Sequence, residues 1–128
     1  MIEKQLDQSK KLTIFTVSGT VTAREIASAI RSFYAADVTL YSLWDLRQGN
    51  IESTDDEVWN LARTVRTLNL SIRTGGKTAL VAGEGAIFGL ARMYQHIADT
   101  LTLPFEIRVF SNIEEAYDWL GGGDVPTQ

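Results

Sequence analysis

Lys77-Thr-Ala-Leu-Val-Ala-Gly-Glu-Gly-Ala-Ile-Phe-Gly-Leu-Ala-Arg-Met-Tyr-Gln-His-Ile-Ala98 joins a run with the character of a buried strand to an amphipathic helix through a glycine turn. The strand half is apolar at nearly every position, as expected where both faces of a sheet are covered. In the helix half, Ile87, Leu90, Ala91, Tyr94, Ile97, Ala98 and Leu101 recur three and four residues apart and define one buried stripe. A strand that passes directly into a helix implies parallel strands joined by helical crossovers.

The same grammar extends in both directions. Upstream, Arg73-Thr-Gly-Gly76 reads as a loop, and a helix opens near Ser53-Thr-Asp-Asp-Glu57, where hydroxyl caps and acids suit the positive end of the helix dipole. Its stripe is Val58, Leu61, Ala62, Val65 and Leu68. Val38 to Leu46 reads as a central strand. Thr22-Ala-Arg-Glu25 is a capping box ahead of the stripe Ile26, Ala29, Ile30 and Phe33. Ile2 to Leu6 and Leu12 to Val17, separated by the polar turn Asp7 to Lys11, form an antiparallel hairpin. Downstream, Pro104 stops the long helix, Phe105, Ile107 and Val109 alternate as an edge strand, and Asn112 caps a last helix carrying Ile113, Ala116, Trp119 and Leu120. The expected order is ββαβαβαβα in one domain over residues 1–120, with 121–128 as a flexible tail.

These motifs, taken together, resemble one family over nearly the whole length. Leu43-Trp-Asp-Leu-Arg47, Gly76-Lys-Thr-Ala-Leu-Val-Ala82, Phe88-Gly-Leu-Ala-Arg-Met-Tyr94, Phe105-Glu-Ile-Arg-Val-Phe110 and Glu114-Glu-Ala-Tyr-Asp-Trp-Leu120 are similar to the SpoIIAA-like, or STAS/SEC14-type, family of small bacterial proteins. The resemblance implies an α/β fold with a mixed, mostly parallel sheet. Its strand order would be sequential, its path a β-α superhelix, and its helices mainly on one face. It also implies a place to look for regulation. In sigma-factor antagonists of the wider STAS class, a serine opening the helix after the corresponding strand is phosphorylated, and Ser53 and Thr54 occupy that location. The antagonists' Asp-Ser-Ser-Gly pattern is replaced here by Glu52-Ser-Thr-Asp-Asp-Glu57, whose acids would repel a phosphate. Plain N-capping competes with a phosphoswitch at both residues.

Composition narrows the function classes. The 128 residues contain no cysteine, which removes disulfides and thiolate metal sites, and one histidine, which leaves no second imidazole for a triad or a zinc site. A net charge of -4 with dispersed Lys and Arg disfavours nucleic acid, because binding to phosphate backbones needs a basic face. The N-terminal stretch lacks the apolar core of a signal peptide and no run is long enough to span a bilayer, so a cytoplasmic protein is expected.

Gly76-Lys77-Thr78 echoes the end of a phosphate-binding loop, but Ser71 stands where that motif needs glycine and the triplet enters a strand. Gly83-Glu84-Gly85 has its third glycine one position late for a dinucleotide motif, and Glu84 would repel phosphate, so a tight turn is the better reading. Asp45 is the best acid-base candidate, raised in pKa if buried alone or tied up if paired with Arg47 or Arg73.

What remains are side chains off the core stripes. Phe88, Arg92 and His96 share the polar side of the long helix. Trp59, Arg63 and Arg66 share a flank of the preceding one. Both groups are candidate interaction surfaces, for a protein partner or for self-association as a homodimer, against the alternatives of a solvated histidine, a packed Phe88 and an intramolecular Arg-Trp stack. The expected role is a non-enzymatic interaction or regulatory module with no cofactor and no metal. The alternative is a carrier or sensor of an apolar, lipid-like ligand, which calls for a pocket on the order of several hundred Å³ lined by residues such as Phe15, Tyr41, Trp44 and Phe88. An enzyme of unknown class ranks third.

Overall fold

The capping box predicted at Thr22 to Glu25 forms, a second forms at Thr54 to Glu57 where hydroxyl caps and acids were expected, and the two set where two helices begin. Glu25 N donates to Thr22 Oγ1 at 3.2 Å while Thr22 N donates to Glu25 Oε1 at 3.1 Å. Thr54 and Glu57 repeat the exchange at 3.3 and 2.7 Å. The computed structural model describes residues 1–36 and 38–121. The tail expected from Gly121 lies, beyond Gly121 itself, outside them.

The order is β1 (Ile2–Asp7), β2 (Leu12–Thr22), α1 (Ala23–Ala35), β3 (Tyr41–Glu52), α2 (Asp55–Arg66), β4 (Lys77–Val81), α3 (Ala86–Asp99), β5 (Glu106–Phe110) and α4 (Ile113–Gly121), with short 3-10 turns at Gln8–Lys10 and Leu70–Arg73. The sheet runs β1-β2-β3-β4-β5 in sequential order. β1 pairs antiparallel with β2, and every later pair is parallel.

Side chains alternate across this sheet and build two apolar layers. On one face Phe15, Trp44, Leu80 and Ile107 pack with Ile26 and Phe33 of α1, Val65 of α2, and Ala91 and Ala98 of α3. On the other, Leu12, Leu43, Ala79 and Val81 pack with Ala116 and Leu120 of α4. The helices therefore lie three to one, mainly on one face as the family resemblance implied.

Two strands run further than their apolar patterns. β2 and β3 remain paired from Ser18↔Gln48 to Thr22↔Glu52, beyond a register shift between Thr16 and Ser18. Few apolar residues occur in Ser18–Thr20 and Arg47–Asn50, so backbone pairing continues there without a periodic signal. β3 also starts at Tyr41 and not at Val38. Thr39 and Leu40 turn their carbonyls to the guanidinium of Arg73 there.

The glycine turns serve geometry. Gly85, ahead of α3, has φ +83°, and a Cβ on Gly76 would collide with the carbonyl oxygen of Leu40. Lys77 Nζ donates to Trp119 O at 2.8 Å on the α4 face, so the lysine that echoed a phosphate loop ties β4 to α4.

Candidate functional site

Between the sheet and α1, α2 and α3 lies a cavity of about 100 Å³. Its floor is Trp44 and Leu46 of β3, Leu80 of β4 and Ile107 of β5, and its roof includes Ile26 and Ile30 of α1, Val58, Leu61 and Val65 of α2, and Leu90, Ala91 and Tyr94 of α3. Trp44 is held flat on the floor by stacking on Phe15, with ring centroids 4.2 Å apart and planes at 11°. Phe15 in turn meets Phe33 edge-on at 5.5 Å. The wall is almost wholly apolar because three amphipathic stripes face one side of a parallel sheet.

One end of the cavity is polar. Arg73, only 2% exposed, projects from the Leu70–Arg73 turn beneath the start of β3. Its Nε donates to Thr39 O at 2.9 Å, and Nη2 reaches Leu40 O at 3.1 Å, Lys77 O at 3.0 Å and Ser42 Oγ at 3.3 Å. Nη1 donates to the Tyr34 hydroxyl at 3.2 Å. The guanidinium also lies 4.4 Å from the ring centre of Phe105 and 5.5 Å from that of Phe33. Ser42 and Thr78, facing inward from adjacent strands, share a hydroxyl bond of 2.9 Å beside it. Burial lowers the pKa of Arg73 and raises that of the Tyr94 phenol, since each charged form would be poorly solvated there.

Ser53, ahead of α2, also lines the cavity. Its buried hydroxyl has no hydrogen-bond partner among the described residues. Thr54, next to it, spends its hydroxyl on the α2 cap. The pair weighed between plain N-capping and a phosphoswitch thus divides into one buried hydroxyl and one engaged at the helix start.

The residues expected around an apolar ligand are dispersed. Trp44 lines the cavity, Phe15 stacks beside it from the neighbouring strand, and Phe88 packs against the same apolar layer. Tyr41 belongs to the α4 face. Among the interaction candidates, Arg63 sits 5.3 Å from the indole centre of Trp59, which remains 37% exposed. Arg66, Arg92 and His96 are exposed. Asp45 pairs with Arg47 on the α4 face of β3, with Nε and Nη2 donating to its two carboxylate oxygens at 2.9 and 2.8 Å. The hydrogen bonds from Arg47 hold the Asp45 carboxyl below its ordinary pKa, the opposite of what lone burial would do. No group of three His, Cys, Asp or Glu side chains that could hold a metal occurs among the described residues. No helix among them is long and apolar enough to cross a membrane.

Sequence reading missed Arg73, which it took for a loop residue. Two weak signals were present: Ser42 and Thr78, polar at inward positions of otherwise apolar strands.

The family model described as SpoIIAA-like matches residues 12–121, from the start of β2 to the end of α4. The chain belongs to the SpoIIAA-like family. Solved structures share the SpoIIAA-like fold at low identity. The anti-sigma factor antagonist SpoIIAA in its unphosphorylated form is 11% identical, with a TM-score of 0.56 over 95% of this chain and 97% of that one. The phosphorylated form of the Bacillus cell fate determinant SpoIIAA is 12% identical, with a TM-score of 0.51 over 93% and 98%. An uncharacterised DUF3478-family protein with a SpoIIAA-like fold from Shewanella loihica PV-4 is 16% identical, with a TM-score of 0.51 over 94% and 92%. No curated protein matches this SpoIIAA-like chain in sequence.

Proposed function

We propose that this SpoIIAA-like protein acts by binding and not by catalysis, as a regulatory module that takes a small, largely apolar ligand between its sheet and α1, α2 and α3. The supporting observation is the cavity itself, about 100 Å³ inside the larger apolar layer, with walls supplied by every helix on that face. Apolar space of this kind gains dispersion contacts when filled, which is the driving force for uptake. The non-enzymatic reading draws support from the side chains that could do chemistry. His96 is exposed on α3, and the Asp45 carboxylate is engaged by Arg47.

Titration of the protein with hexanol and cyclohexanol, followed by calorimetry and by tryptophan emission with Trp59 and Trp119 replaced by Phe so that Trp44 alone reports, tests the proposal. Saturable binding is expected, and Ala91→Leu, which fills the cavity from α3, should abolish it while the fold is retained. No saturable response from either alcohol would overturn the reading.

A second reading has its own observation, the partly exposed Trp59 under Arg63 on the outer flank of α2. Trp with Arg is the composition of a docking anchor, here for a protein partner or a second copy. Sedimentation with Trp59→Ala tests it. Association unchanged by that substitution would refute the anchor.

A further inference from the structure

The cavity's polar end is rich in donors. A guanidinium has five N-H groups, two of them on Nη1. Nη1 of Arg73 makes one hydrogen bond, to Tyr34, and so keeps a second N-H without a partner among the described residues. The Tyr34 hydroxyl accepts that bond, and its own proton finds no acceptor among them. Tyr94 lines the same cavity with its hydroxyl likewise unpaired there. The ion pair found among the described residues, Asp45 with Arg47, is on the opposite face of the sheet, and no described carboxylate reaches Arg73. A buried cation surrounded by carbonyls, hydroxyls and ring faces is held in place yet not neutralised.

From this we infer that the ligand carries a carboxylate, seated against Arg73 Nη1 and the hydroxyls of Tyr34 and Tyr94, with its hydrocarbon part along Trp44, Leu80 and Ala91. The inference rests on the ligand reading of the cavity and specifies its chemical class, a small aliphatic acid. A carboxylate presents about four acceptor sites, enough for the donors of Arg73, Tyr34 and Tyr94 that line the cavity, and its charge cancels that of the guanidinium in a place where water screens little. An amine would meet the arginine charge head-on. An alcohol would accept from one donor and leave the cation as it was.

The full chain is titrated with hexanoate, hexanol and hexylamine by calorimetry, and its Trp59→Phe, Trp119→Phe form by the emission of the remaining Trp44. Hexanoate should bind about tenfold more tightly than hexanol, the scale of one charge-assisted hydrogen-bonded contact, and hexylamine most weakly. Tyr34→Phe and Tyr94→Phe preserve volume and should each weaken hexanoate about threefold while leaving hexanol unchanged, as expected for a lost hydroxyl contact. Arg73→Met should erase the preference, and if its circular dichroism is not native the two tyrosine variants carry the test. Equal affinity for hexanoate and hexanol overturns the acid assignment and leaves the ligand reading intact, whereas absence of binding by all three probes overturns both. Asp37 lies outside the described residues, so Asp37→Asn is included. A preference for hexanoate that appears only in Asp37→Asn overturns the assignment, because the charge of Arg73 would then already be matched within the chain.

Discussion

Replacing Arg73 by Met removes a charge from the core but leaves its acceptors behind. Thr39 O, Leu40 O and Lys77 O lose the donors that reach them from Nε and Nη2. At about 1 kcal/mol for each stranded carbonyl, the low end of the range, the loss is roughly 3 kcal/mol. Loss of the contacts to Phe105 and Phe33 adds about 1 kcal/mol. Relief of the buried charge works in the other direction and cancels part of this, so a net loss of about 3 kcal/mol is expected. Urea unfolding followed by far-ultraviolet circular dichroism should show a lower midpoint with an unchanged slope, and the thermal midpoint should fall by about 10 °C. Arg73→Lys should fare little better, because an ammonium brings the charge without the fork that reaches several carbonyls. If Arg73→Met proves as stable as the parent, the guanidinium costs as much as its bonds return. The account of Thr39 and Leu40 as a segment fastened by Arg73 would then be wrong.

Three further perturbations test separate parts of the structure. Ser53→Ala removes a buried hydroxyl that has no partner among the described residues and should stabilise the protein by about 1 kcal/mol in thermal unfolding, whereas a loss of that size would mean the hydroxyl is satisfied. Thr54→Ala deletes the cap acceptor of α2 and should cost about 1 kcal/mol, while Thr54→Ser should cost much less, as read from urea midpoints. The carboxyl of Asp45 is held below its ordinary value of 3.8 by hydrogen bonds from Arg47, so its stabilisation is present above that pH and lost as the pH falls through the folded-state value. Asp45→Asn should therefore start less stable near neutrality and lose less stability on acidification below 3.8. Parallel stability-pH curves for the two proteins would refute the pairing.

Much of this fold is written locally. The capping boxes Thr22 to Glu25 and Thr54 to Glu57 are complete within four residues, and the stripes of α1, α2 and α3 repeat within single helices. Each could be read without knowing what it packs against. The far ends of β2 and β3 could not, because their pairing is a backbone property and their side chains carry little periodicity. Asp45 was equally undetermined, since burial and pairing shift a carboxyl in opposite directions and only geometry says which prevails.

The candidate site is the clearest division between the two levels. Periodicity determined that α1, α2 and α3 each carry one apolar stripe, while their place on a single face of the sheet was implied only by the family resemblance. It did not determine that they would leave a gap, because a void of this size is the residue of how side-chain volumes fit together once the helices are docked. Nor did it place Arg73, which lies 39 residues from Tyr34, 31 from Ser42 and only four from Lys77, whose carbonyl it also holds. Those separations have no common period. Tertiary structure brings the groups together because three carbonyls at the turn before β3 and the start of β4 need donors once they are buried, and the planar fork of a guanidinium spreads its five N-H groups widely enough to serve them at once.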